Sequence, residues 1–186
     1  MEGITHTFIA GGIGSGKSHL AQMLSTLTKA DVVSLDAIFF DFESPIHRKE
    51  RDTALKDAML HLRLVQPPSI FEGWHFGDWL IPLYRCVSLV IIIDAPLELR
   101  EQRIEERFNR RKAGLEFDPF PRGGTEHLAN LLRWTRMFDA DRAEKEIRAY
   151  SSSNCRFLRD AGFGTVLNQM AQPSAGANGL PPVAQP

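Results

Sequence analysis

The chain has 186 residues, 43% of them hydrophobic, which suits one α/β domain with a full core and leaves little room for a second. Its 22 Lys and Arg against 23 Asp and Glu give a formal charge of −1, so there is no global electrostatic case for nucleic-acid or membrane binding. Two cysteines, Cys86 and Cys155, have no metal-ligand spacing and argue against a disulfide scaffold; they read as structural thiols of a cytoplasmic protein.

The first predicted element is a strand, Thr7 to Ala10. It runs into Gly11-Gly12-Ile13-Gly14-Ser15-Gly16-Lys17-Ser18, followed by His19 and by apolar residues at helical spacing, Leu20, Met23, Leu24 and Leu27. Strand, glycine-rich loop and helix in that order form the P-loop pattern. Small residues let backbone N–H groups curl around phosphate oxygens, and the helix N-terminus adds a favourable dipole. Lys17 is then the cation for the outer phosphates of a nucleotide, and the Ser18 hydroxyl a ligand for Mg²⁺. The glycines arrive before any long apolar segment, so no signal-peptide pattern is seen at the N-terminus.

Further strands are predicted at Val32–Leu35, ending at Asp36; at Ser69–Phe71, ending at Glu72-Gly73; and at Val87–Ile93, ending at Asp94-Ala95-Pro96. Gly164–Leu167 is a weaker fifth candidate. The run 87–93 is too short to span a bilayer. Helical periodicity appears at Leu55, Ala58, Met59 and Leu62, from Leu97 to about Arg111, and from Leu128 through Leu131, Leu132 and Thr135 towards Tyr150. Strand alternating with helix predicts a three-layer, doubly wound parallel sheet of about five strands. Residues 1–171 form the expected domain, with helices at about 38–66. The Gly- and Pro-containing stretch 112–125 reads as a loop, and residues 172–186, almost all Pro, Ala, Gly, Gln, Ser and Asn, as a disordered tail.

In open α/β sheets ligands bind beyond the carboxyl ends of the strands. Asp36, Glu72 and Asp94 all fall there. Asp36 is the first candidate for a general base that takes a hydroxyl proton during phosphoryl transfer. Glu72 is the candidate for holding water on Mg²⁺, or for the base itself. Asp94 reads as a turn-shaping and helix-capping residue. Phe39 to Leu64, with Trp74, His75, Phe76 and Trp79, offers rings that could stack on a planar ligand or simply form a small core. Arg48, Arg51 and Arg63 are charges in the same region.

Arg100, Arg103, Arg107 and Arg111 share one face of the helix after Pro96. Alone they describe a solvated, salt-bridged helix; beside a P-loop they can stabilise a transferring phosphoryl group. The segment Ile93-Asp94-Ala95-Pro96-Leu97-Glu98-Leu99-Arg100-Glu101-Gln102-Arg103-Ile104-Glu105-Glu106-Arg107 resembles the strand-four pattern of the adenylate kinase-like P-loop kinases of small molecules. The resemblance covers roughly residues 4–150. It implies ATP as donor with Mg²⁺, Arg103 packing on adenine, Arg107 on the transferring phosphates, a lid at 112–125, and further arginines at Arg133 and Arg136. Adenylate kinases carry Asp-Gly-Phe-Pro-Arg after strand three, whereas this chain has Glu72-Gly73-Trp74-His75-Phe76. Its Leu35-Asp36-Ala37-Ile38-Phe39-Phe40 is similar to the strand-two segments of topology-modulation proteins and of shikimate, gluconate and uridine kinases. An acid in place of a phosphate-gripping arginine favours a hydroxyl acceptor over AMP.

The catalytic set expected from residues and resemblance together is Lys17, Asp36, Glu72 and Arg107. The nucleotide is expected on Gly11 to His19 and Arg103, with Ser18 on the metal. The expected partner is a small-molecule phosphate acceptor, with no nucleic acid or membrane, in a monomer or homodimer. A nucleotide-hydrolysing or nucleotide-binding regulatory module is the competing reading.

Overall fold

The computed structural model describes residues 6–42, 49–75, 77–116 and 124–160, together with Val166 and Asn168. Residues 117–123 of the stretch expected to form a lid, the expected C-terminal tail, Arg48 and Phe76 lie outside the described residues; of the rest of that stretch, Lys112 ends one helix and Gly124 and Thr125 begin the next.

The chain runs β1 (His6–Gly11), α1 (Lys17–Thr28), β2 (Asp31–Ser34), α2 (Leu35–Phe39), β3 (Phe40–Asp41), β4 (Lys49–Glu50), α3 (Thr53–Leu64) and β5 (Ser69–Gly73). It continues through a 3₁₀ turn, Asp78–Leu80, into α4 (Ile81–Cys86), β6 (Val87–Ile93), α5 (Leu97–Lys112), α6 (Gly124–Arg136), α7 (Ala140–Tyr150) and β7 (Arg156–Arg159). The main sheet has five strands in the order β2-β5-β1-β6-β7, every neighbouring pair parallel. β3 and β4 form a separate antiparallel pair.

Strand alternation divides the core between two faces. Phe8, Ala10, Phe71, Val90 and Ile92 pack with Leu35, Leu60, Leu83, Tyr84 and Ile147 of the helices on one side. Ile9, Ile70, Leu89 and Ile91 pack with Ala21 and Leu24 of α1 on the other. Both faces are covered, which is why the strands read as continuous apolar runs.

Three expectations are corrected. The fifth strand is Arg156–Arg159, not Gly164–Leu167; of the latter only Val166 is described, and it is helical and buried. β7 is an edge strand with two apolar residues between arginines, so it carries little periodicity. The helical pattern from Leu128 towards Tyr150 is two helices, broken where Phe138 turns into the core and the Asp139 carboxylate caps α7 by accepting the Arg142 N–H at 2.9 Å. Asp36 does not end a strand: it lies in the first turn of α2. Both cysteines are free thiols.

At the opposite edge of the sheet from the P-loop, His6 is fully buried. Its Nδ1 accepts the Ser69 N–H at 3.0 Å, and its Nε2–H donates to the Leu64 carbonyl at 3.1 Å. Burial holds its pKa below the ordinary 6.5, with the Leu64 bond opposing. The unfolded chain therefore takes up this proton first, and protonation of Nδ1 removes the acceptor for Ser69. Stability from this residue is present above pH 6.5 and is lost as pH falls through the depressed folded value. The melting temperature is expected to drop on acidification through that window, and to drop less in His6→Gln; equal drops in both proteins contradict the assignment.

Candidate active site

The loop between β1 and α1 is built by glycines where side chains cannot be accommodated. Gly14 has φ +81°, and a Cβ there would lie 2.5 Å from the Arg100 carbonyl oxygen. The Ser15 N–H closes a turn onto the Gly12 carbonyl at 3.1 Å. Three other loop carbonyls are held from outside. The Thr135 hydroxyl donates to Ile13 O at 2.7 Å, and Arg103 Nη1 donates to Gly14 O at 3.3 Å and Ser15 O at 3.2 Å.

Thr135 is itself fixed by Arg100, whose Nη1 donates to its carbonyl at 2.6 Å and its hydroxyl at 3.2 Å, while Arg100 Nε donates to Ala95 O at 2.9 Å. Arg100 is buried, and burial pushes its guanidinium below the usual range against the pull of Asp94, Glu101 and Glu98. It is a structural clamp rather than a member of a phosphate-facing row. The sequence reading missed this and missed Thr135. The available signal was a polar residue inside the apolar stripe of α6, next to Leu131.

The sheet brings the acids together. Glu72 is in register with Ile9 of β1 on one side and Ser34 of β2 on the other. The Ser18 hydroxyl donates to Glu72 Oε2 at 3.0 Å, and Glu72 is buried. One residue on, a Cβ at Gly73 would meet Leu35 Cβ at 2.7 Å, so glycine lets the start of α2 sit against β5. This close approach carries Asp36 to the cleft, where Asp36 Oδ1 and His75 Nε2 are 2.7 Å apart. His75 stacks on Phe39 at 4.3 Å between centroids with 25° between planes. Phe39 in turn lies 4.5 Å from the ammonium of Lys56, which is bonded to Glu50 at 2.5 Å.

Two concavities meet at the loop. One, of about 290 Å³, has Asp36 and His75 in its wall together with the rings of Phe39, Phe40, Trp74 and Trp134. The other, of about 520 Å³, runs past Ser15, Gly16, His19, Arg103 and Arg110. They share Gly14, Lys17, Ser18 and Arg107. Burial pushes the Arg107 guanidinium below its usual range, aided by Arg111 and Arg110 and opposed by Glu116 and Asp36.

Of the expected residues, Lys17, Ser18, Asp36 and Arg107 line the first concavity, whereas Glu72 stands behind Ser18. Asp94 does not cap α5, whose N-cap is Pro96; its carboxylate is bonded to Arg159 at 2.5 Å. Arg136 is turned away to Glu101 at 2.6 Å, and Arg133 is exposed; Leu131 and Trp134, from the same helix, face the cleft instead. Arg51 is paired with Asp41 at 3.4 Å, and Arg63 borders a different concavity with Val32 and Gln66. Trp79 is buried in the core.

Among the described residues no cluster of three or more His, Cys, Asp or Glu could hold a metal ion. The Ser18 hydroxyl and Glu72 carboxylate are hard oxygen donors at the loop, a pair that suits Mg²⁺, which takes few protein ligands and keeps water and phosphate oxygens. No helix among the described residues is long and apolar enough to cross a membrane.

No family model and no curated protein matches the chain. Among solved structures, the shikimate kinase from Acinetobacter baumannii in complex with shikimate superposes with a TM-score of 0.56. The two are 14% identical, over 90% of this chain and 93% of that one. A gluconokinase from Sinorhizobium meliloti 1021 gives a TM-score of 0.49 at 12% identity over 89% of each chain. The chain therefore shares its fold, a parallel five-stranded sheet between helices with a glycine-rich loop after the first strand, with that shikimate kinase.

The clamp on the loop gives a direct test. Gly14→Ala forces a left-handed backbone and a contact with the Arg100 carbonyl, and is expected to cost about 1–3 kcal/mol in urea unfolding. Nucleotide affinity should fall with it. An unchanged unfolding midpoint with wild-type nucleotide binding contradicts the loop geometry.

Proposed function

We propose that the protein is an ATP- and Mg²⁺-dependent kinase that phosphorylates a hydroxyl group of a small molecule. The observation that carries this reading is the pair of concavities meeting at Lys17, Ser18 and Arg107. A donor nucleotide in one and an acceptor in the other would present the γ-phosphate to a hydroxyl at their shared boundary. A hydrolase needs no second, ring-lined space.

In this reading Lys17 and Arg107 neutralise the charge that spreads over the phosphoryl oxygens, and Ser18 and Glu72 hold Mg²⁺, directly and through water. The metal supplies further neutralisation of phosphate charge. Asp36 orients the acceptor hydroxyl and takes its proton as the oxygen attacks. Its bond to His75 fixes the carboxylate, and the Phe39 stack fixes His75, so the base is aimed before the acceptor arrives. Arg103, whose guanidinium is bonded to loop carbonyls, holds the cradle in shape and borders the nucleotide groove.

Lys17→Ala is expected to weaken ATP binding and nearly abolish turnover. Asp36→Asn should leave ATP binding intact and lower kcat by about 10²-fold or more, as loss of a general base does. Acceptor-dependent ADP formation and equilibrium ATP binding check both. Full transfer activity in Asp36→Asn, with loss in Glu72→Gln, moves the base to Glu72. His75→Gln keeps a donor near Asp36 but loses the ring stack, so kcat should fall while the KM for ATP holds. An unchanged kcat contradicts the positioning role.

A further inference from the structure

We infer that the acceptor is an uncharged alcohol carrying a planar aromatic or heteroaromatic ring, of nucleoside size or smaller. This inference rests on the kinase reading and narrows it to a substrate class.

The charged or titratable groups that border the acceptor concavity are Lys17, Asp36, His75 and Arg107 among the described residues. Lys17 and Arg107 also border the nucleotide groove, so phosphate oxygens engage them. What remains for the acceptor is one carboxylate, its histidine partner, and the rings of Phe39, Phe40, Trp74 and Trp134. A carboxylate or phosphate on the acceptor would meet Asp36 and aromatic walls, with no further described cation to pair it. An unpaired charge buried in such a wall is strongly disfavoured. Arg51, Arg63 and Arg136 are committed elsewhere or border other surfaces. The Lys56 ammonium is bonded to Glu50 and does not border the concavity.

The walls favour a flat partner. Half-buried Trp74, Trp134 and Phe40 border the concavity beside Phe39, whose ring is already stacked on His75 and lies under the Lys56 ammonium, and an aromatic wall of this kind suits planar rings. A volume of about 290 Å³ lies at the small end of ligand sites, so one ring system and a short hydroxyl-bearing arm fill it. In the reaction the hydroxyl oxygen forms a bond to the γ-phosphorus as the bond from that phosphorus to the β–γ bridging oxygen breaks. The hydroxyl proton passes to Asp36. The products are a phosphomonoester and a nucleoside diphosphate.

The test uses the full chain with ATP and MgCl₂ and two sets of acceptors. Uridine, cytidine and pyridinemethanol represent neutral ring alcohols; shikimate and gluconate represent carboxylated polyols. Phosphomonoester formation is followed by mass spectrometry and ADP release by a coupled assay. At least one ring alcohol is expected to react with kcat/KM at least about tenfold above either carboxylate, the discrimination a mismatched polar group gives. Trp134→Leu should raise the KM for that ring alcohol by about tenfold through lost stacking and leave the KM for ATP unchanged. Phosphorylation of shikimate or gluconate with no ring alcohol reacting overturns the substrate class and keeps the kinase reading. ATP hydrolysis with no phosphomonoester from either set overturns both. A ring alcohol that reacts equally well in Trp134→Leu and Phe40→Leu overturns the stacking on which the inference stands.

Discussion

The site depends on the clamp that α5 and α6 place on one side of the P-loop. Thr135 and Arg103 bind the carbonyls of Ile13, Gly14 and Ser15, and Arg100 fixes Thr135 from beneath. A trans peptide unit points its N–H opposite to its C=O, and no cis peptide bond occurs among the described residues. With the Ile13 and Ser15 carbonyls drawn towards the helices, the N–H groups of Gly14 and Gly16 turn the other way. An anion-binding concavity needs that arrangement of donors. The clamp therefore sets the electrostatic sign of the loop before any ligand arrives, and it gives the buried guanidinium at position 100 its partners.

The rest of the cleft follows from strand order. β5 lies between β2 and β1, so its carboxyl end stands beside both the P-loop and the start of α2. Glu72 reaches back to Ser18, and Gly73 admits Leu35 closely enough for Asp36 to face the loop across the gap. Strand pairing and the close approach at Gly73 thus bring Lys17, Glu72 and Asp36, distant in sequence, to one edge. The aromatic wall of the smaller concavity is built differently, from rings on α2, β3, the segment after β5 and α6, with His75 joining the acid to the aromatic layer.

Much of this was legible in the residues. The P-loop, the parallel sheet and Glu72 at the carboxyl end of β5 were marked by glycine spacing, apolar runs and their punctuation. The clamp was not, because Arg100 shares helical spacing with Arg103 and Arg107, and periodicity cannot tell a buried guanidinium from a solvated one. The break at Asp139 was hidden because Leu131, Thr135, Phe138, Ala143 and Ile147 keep one apolar side across it. β7 was hidden by its arginines, of which Arg159 pairs with Asp94 after β6 and with Asp141 of α7. The Asp36–His75 pair spans 39 positions and appears only once β2 and β5 are in register.

A regulatory nucleotide-binding module would share the loop, the clamp and the Ser18–Glu72 pair, and would differ only in the fate of the γ-phosphate. The most direct measurement is to incubate the protein with ATP labelled in its γ-phosphate, Mg²⁺ and a low-molecular-mass cell extract, and to follow the label. A small-molecule kinase moves the label into a phosphomonoester whose formation stops in Asp36→Asn while ATP still binds. Label found only in unreacted ATP and inorganic phosphate, in an extract containing neutral ring alcohols, contradicts phosphoryl transfer as the protein's activity.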